Sequence, residues 1–120
     1  MMKSQTLPVL LPRWRIMSPP GIAFGPGKAE LLAGIAETGS IGEAAGRMAM
    51  SYMRAWSLIQ EMNAAFRKPL VETVRGGQRR GGAQLTPTGR RVLSLYGKME
   101  ASARKAVRTD WRNLRKLLRD

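Results

Sequence analysis

The segment GSIGEAAGRMAMSYMRAW, residues 39 to 56, leaves this chain less conformational choice than any other stretch of it. Ser40 followed three residues later by Glu43 is a capping box, in which a hydroxyl and a carboxylate satisfy N–H groups left open at a helix start. Ile41, Ala44, Ala45 and Met48 then supply one apolar face for a short helix ending near residues 48 to 50. Ser51 signals the next N-cap almost at once, and Ala55, Leu58, Ile59, Met62 and Phe66 recur at helical spacing up to a break at Pro69. Two short helices with so tight a join must cross at a steep angle, and they touch only where the contact residues are small. Ala44 and Ala45 meet that need. Alanine is also simply a good helix former, so the pair argues for a helix-turn-helix only together with the two caps.

The flanking sequence extends this motif on both sides. Arg13 to Met17 has strand character, Ser18-Pro19-Pro20-Gly21 is a turn signal, and Ile22-Ala23-Phe24 can return as the partner strand. Gly25-Pro26-Gly27 precedes Leu31, Leu32, Ile35 and Ala36, an apolar stripe predicting a helix that stops at Thr38-Gly39. Gly25-Pro26-Gly27 lacks the lysine and hydroxyl ending of a nucleotide-binding loop and reads as a turn that starts this helix. After Pro69, Leu70 to Val74 and Ala83 to Leu85 read as two strands joined by the glycine-rich arginine run, residues 75 to 82, which together make a wing. Thr86-Pro87 opens a last helix whose apolar stripe runs through Val92, Leu93, Tyr96, Met99, Ala103, Val107, Trp111, Leu114 and Leu118, with Gly97 a weak point near its middle. The expected fold is mainly α with a small β component: a winged helix-turn-helix with an N-terminal β-hairpin and a long C-terminal dimerisation helix. Its divisions are a flexible segment over 1–12, the DNA-binding domain over 13–86 and the dimerisation helix over 87–120.

Composition narrows the chemistry. Twenty-one Lys and Arg against eight Asp and Glu give a formal charge of +13, the balance of a protein whose partner is a polyanion. Residues 67 to 120 hold fifteen of those basic residues and four of the acidic ones, so the positive charge is concentrated late. No cysteine or histidine is present, which removes the thiolate and imidazole that most metal sites and general bases require. Glu43, Glu61 and Glu72 are the few central acids, and each has a simpler role as a cap, a surface charge or a strand neighbour. No enzyme activity, cofactor or metal is expected. No apolar run reaches the roughly 18 to 20 residues needed to cross a bilayer, and the start of the chain lacks a signal-peptide core, so a cytoplasmic location is expected.

The second helix of a helix-turn-helix presents its first turn to base edges in the major groove. Here that turn offers Ser51, Tyr52, Met53 and Arg54. Arg54 can give two parallel hydrogen bonds to guanine, Tyr52 can reach a phosphate or a thymine methyl, and Ser51 can donate to a phosphate. The bland reading of Tyr52 is a partly buried packing residue, and Trp56 one turn on reads as core. Ser40, at the start of the preceding helix, completes the candidates there. On the wing, Arg75, Arg79 and Arg80 carry charge that can approach phosphates or enter a minor groove. The chain lacks the repeated RGG pattern and paired stacking aromatics of an RNA-binding protein, which remains, with a nonspecific architectural DNA-binding protein, the rival reading. On the last helix Val107, Trp111, Leu114 and Leu118 read as a dimer seam, the alternative being an amphipathic helix on a membrane surface.

GPGKAELLAGIAETGSI (25–41), AMSYMRAW (49–56), EMNAAF (61–66), PLVE (69–72) and GGAQLTPTGRRVLSLY (81–96), taken in that order over about two thirds of the chain, resemble the N-terminal DNA-binding domain of the molybdate-responsive regulator ModE, within the LysR-type helix-turn-helix group. The resemblance implies a winged helix, a long helix pairing two subunits, double-stranded DNA as partner and control of molybdenum-related genes. Met53 stands where that family often carries a basic residue, and Gln78-Arg79-Arg80 where it is richer in glycine, so a different operator sequence is implied. In the family, molybdate is held by small β-barrel domains after the long helix. This sequence stops at Asp120, so no molybdate site is expected within it, and a stand-alone DNA-binding relative is the expected form.

Overall fold

The computed structural model describes residues 8–74 and 82–119. Strand β1 (Ile16–Ser18) turns through Pro19 and Pro20 into the antiparallel strand β2 (Gly21–Phe24), which begins the core with the fully buried Phe24. The predicted hairpin is present, with its first strand starting three residues later than the expected Arg13 and ending one residue after the expected Met17. Helix α1 (Pro26–Thr38) starts with proline in its first turn, where no N–H partner is required. It stops at Gly39, whose φ of 69° is the left-handed conformation that glycine adopts at little cost and whose N–H closes onto the Ile35 carbonyl. Leu31, Leu32 and Ile35 are wholly buried, as their spacing required.

Helices α2 (Ile41–Arg47) and α3 (Tyr52–Ala65) follow, then the antiparallel pair β3 (Val71–Val74) and β4 (Gly82–Leu85), and finally helix α4 (Pro87–Arg115). The ladder pairs Val71 with Leu85 and Val74 with Gly82, so β3 and β4 form the two sides of a wing, and the arginine run between them, with Arg75, Arg79 and Arg80, lies outside the described residues. Helix α3 ends at Ala65 rather than running on to Pro69. Phe66 turns to extended backbone there and sets its ring edge-on against Phe24, with centroids 6.1 Å apart, so core packing closes the helix before the proline does.

One core joins these elements, with Phe24, Leu31, Leu32, Ile35, Ile41, Ala44, Ala45, Ile59, Met62 and Leu70 at its centre. Helix α4 contributes Tyr96, whose ring meets Phe24 edge-on at 5.1 Å and whose hydroxyl donates to the Trp14 carbonyl at 2.6 Å. This bond ties the segment before β1 to the last helix. Burial pushes the Tyr96 hydroxyl above its ordinary pKa, with Glu100 adding to the rise and Arg15 opposing it. Beyond Tyr96 no residue of α4 is buried, and the helix continues unbroken through Gly97 to Arg115. Leu118, expected as the last position of the helical stripe, lies past the helix end. Among the described residues no helix is long and apolar enough to cross a membrane.

Candidate nucleic-acid interface

The join between α2 and α3 is built from backbone hydrogen bonds. The Ala49 N–H donates to the Gly46 carbonyl and the Met50 N–H to the Ala45 carbonyl, the paired closure of a Schellman turn. Ala49 sits at φ 54°, the left-handed position that glycine usually fills in this turn. Ser51 Oγ then accepts the Arg54 N–H at 3.0 Å and starts α3, as Ser40 Oγ starts α2, so the helix-turn-helix read from its N-caps is present; of the expected capping box only the serine half is shown, the Ser40 N–H donating to Thr38 Oγ1 at 3.1 Å. Its close approach to α1 depends on a residue the sequence pattern did not single out. A Cβ at Gly34 would stand 3.0 Å from Ala44 Cβ, so the pair of small residues that sets this packing is Gly34 with Ala44.

The start of α3 points its side chains outward. Ser51, Tyr52, Met53 and Arg54 are all exposed, Met53 at 70% and Tyr52 at 44%, so Tyr52 is a surface residue rather than a packing one. Ala55, Leu58, Ile59 and Met62 hold the opposite face in the core, and Trp56 is half-buried against it as expected. The Ser51 hydroxyl accepts at the cap and keeps its proton free to donate. Ser40 is placed differently from its expected role. It is buried at 6% exposure, its Oγ accepts the Glu43 N–H at 3.1 Å, and its backbone bridges to Gly82. A hydroxyl enclosed in this way acts as a cap and offers no edge to a nucleic acid.

Wing and last helix are locked to this unit by residues with no chemistry of their own. The Ala83 N–H donates to the Gly39 carbonyl, which fastens β4 to the α1–α2 corner. Asn63 on α3 accepts from the Leu70 and Val71 N–H groups through Oδ1 and donates to the Val71 carbonyl through Nδ2, clamping the start of β3. Thr86 caps α4 by accepting the Gly89 N–H, while its own hydroxyl donates to the Pro69 carbonyl and its N–H to the Leu70 carbonyl. Asn63 carried no periodic signal; an amide inside an otherwise apolar helical stripe close to a proline break was its only mark.

Residues 28–90 match the family described as "Bacterial regulatory helix-turn-helix protein, lysR family". Among curated proteins, the molybdenum-pterin-binding protein MopB of Rhodobacter capsulatus is 40% identical over 87 residues, covering 72% of this chain and 32% of that protein. The DNA-binding transcriptional dual regulator ModE of Escherichia coli K12 is 41% identical over 81 residues, covering 68% of this chain and 31% of ModE. The chain thus spans about a third of the length of the curated relatives it matches. Among solved structures, a LysR family transcriptional regulator superposes with a TM-score of 0.52 at 19% identity over 71% of this chain and 27% of that one. Full-length CbnR, crystallised in complex with its target DNA, superposes with a TM-score of 0.54 at 22% identity over 71% of this chain and 28% of that one. The fold is therefore that of the helix-turn-helix domains of this family.

Proposed function

The chain belongs to the LysR family of bacterial regulatory helix-turn-helix proteins, a family of regulators and not of enzymes, and from that premise we propose that it binds double-stranded DNA sequence-specifically and regulates transcription. The observation that carries this reading is the outward first turn of α3. Ser51, Tyr52, Met53 and Arg54 form an exposed row on a helix whose other face is fixed in the core, so a rigid scaffold aims four side chains at a groove. Arg54 reads a base edge, and Ser51 and Tyr52 hold the backbone on either side. Arg75, Arg79 and Arg80 of the wing add phosphate contacts. The genes under control are molybdenum-related, a step supported by the names of the relatives ModE and MopB. The binding unit spans residues 13–86, with 87–120 pairing two copies.

A competition titration tests the reading. Duplexes selected by the protein from a random pool are competed against unselected duplex of the same length. Preference for the selected sequence is the expected result, and indistinguishable affinities overturn it in favour of nonspecific architectural binding.

A further inference from the structure

Beside the first turn of α3 lies a cleft of about 320 Å³ whose walls include Arg13 and Arg15 before β1, Gly25 and Lys28 at the start of α1, Met50 of the α2–α3 turn, and Arg54 and Glu61 on α3. Its charges do not balance internally. Lys28 is buried, with Nζ 3.0 Å from Glu61 and donating to the Ile22 carbonyl at 2.5 Å, so these two groups neutralise each other. Arg13, Arg15 and Arg54 are exposed, and none of the three guanidiniums is paired with a carboxylate among the described residues. Three like charges around one concavity repel one another, and a bound anion removes that penalty.

The arginines before β1 are held in place. Trp14, between them, has its carbonyl bound by the buried Tyr96 hydroxyl, and the Arg15 side chain passes so close to Gly25 that a Cβ there would stand 3.3 Å from its Cγ. Arg13 and Arg15 both line the cleft, whereas Trp14 between them does not. Arg54 is common to the cleft and to the exposed row of α3. A duplex seated on that row therefore brings its sugar-phosphate backbone past the mouth of the cleft.

We infer that Arg13 and Arg15 form a second contact element, an N-terminal clamp that grips a backbone phosphate of the duplex next to the recognition helix. This rests on the DNA-binding reading above and adds to it a part of the chain outside the helix-turn-helix and wing. The chemistry recognised is a phosphate oxyanion, accepting hydrogen bonds from guanidinium groups. The clamp carries no sequence information, so it strengthens binding to every duplex alike.

The test measures binding of the full chain to a short mixed-sequence duplex over a series of KCl concentrations, for wild type, Arg13→Ala with Arg15→Ala, and Arg13→Lys with Arg15→Lys. The alanine pair is expected to lose on the order of tenfold in affinity and to lower the slope of log K against log salt by about 0.9, the contribution of one phosphate contact. The lysine pair keeps the charge and is expected to restore the slope. Both arginines are exposed, and an unchanged melting temperature of the alanine pair excludes misfolding as the cause. A parallel titration with inorganic phosphate at constant ionic strength separates the two sources of the oxyanion. An unchanged slope in the alanine pair, with or without stabilisation of the wild type by free phosphate, overturns the clamp. Wild-type chain without affinity for any duplex overturns the DNA-binding reading together with it, whereas wild-type binding with an unchanged variant slope overturns the clamp alone.

Discussion

Arg54 does two things at once: its N–H completes the cap at Ser51, and its side chain leaves the helix into solvent beside Tyr52 and Met53. Replacing it with alanine leaves the capping N–H in place, so the loss falls on recognition. About 1–3 kcal/mol of binding is expected to vanish on the selected duplex and much less on random duplex, read by the same titration on both; equal losses would reassign Arg54 to the backbone. Tyr96 provides the other test at this scale. Its raised pKa means that the folded protein favours the neutral phenol, so the associated stability is complete below the unfolded value near 10 and is lost as pH climbs through the higher folded value. Melting temperature is therefore expected to fall more steeply above pH 10 in wild type than in Tyr96→Phe, and parallel curves would sever the link. What the sequence disclosed follows periodicity and capping: the Ser51 cap and the buried face of α3 were legible because regular patterns mark them. Ser40 was legible as a cap but not as enclosed, since burial depends on the wing folding back on the α1–α2 corner. The left-handed Ala49 left no trace, because alanine advertises helix and only the turn's hydrogen bonds impose the other conformation.

Element boundaries came out of the sequence where a local device ends them and drifted where packing does. Helix α1 stops at Gly39 as expected, whereas α3 stops at Ala65 because Phe66 is drawn onto Phe24, a contact between residues far apart in sequence. Two glycines of α4 make the same point in energies. At Gly89 an added Cβ would lie 2.1 Å from the Leu70 carbonyl oxygen, on backbone that Thr86 and Asn63 already hold, so neither the helix nor the start of β3 can yield easily. At Gly97 nothing lies within 4 Å of the added carbon. Gly89→Ala is expected to cost about 1–3 kcal/mol through overpacking in spite of the better helix former, while Gly97→Ala is expected to stabilise by about 0.5–1 kcal/mol. Urea titrations of both variants check this, and equal shifts of the same sign would mean that α4 does not close against Leu70 as described. From sequence alone both residues are simply glycines inside a helix, and only the neighbour that comes close distinguishes them.

The molecule as a whole is too extended for its mass. Its radius of gyration is 17.2 Å, where a compact chain of this length has about 14 Å, and its longest dimension is 56 Å. The excess comes from α4, whose 29 residues make a rod about 43 Å long at about 1.5 Å per residue and which is buried only at Gly89 and Tyr96. On the projecting part Met99, Val107, Leu114 and Leu118 are exposed and Trp111 is half-buried, continuing the stripe that begins in the core at Tyr96. Leaving each large side chain in water forfeits roughly 1.5–3 kcal/mol, and a basic helix surrounded by guanidinium and ammonium groups repels a second copy unless apolar contact outweighs that charge. The proposed homodimer follows, with the stripes of two α4 helices facing each other and Leu118 contributing from beyond the helix end. A two-fold axis through that seam sets two copies of the α3 row on one side of the duplex, so the selected sites should be inverted repeats with half-sites about one helical turn, or a small multiple of it, apart. Sedimentation of the full chain is expected to give a dimer at micromolar concentration, strengthened by salt as charge repulsion is screened. The paired substitution Trp111→Glu with Leu114→Glu is expected to give a monomer that keeps its melting cooperativity and binds single half-sites only. A monomeric wild type, or a double variant that still dimerises and still prefers inverted repeats, would show that the stripe on α4 covers something other than its own copy.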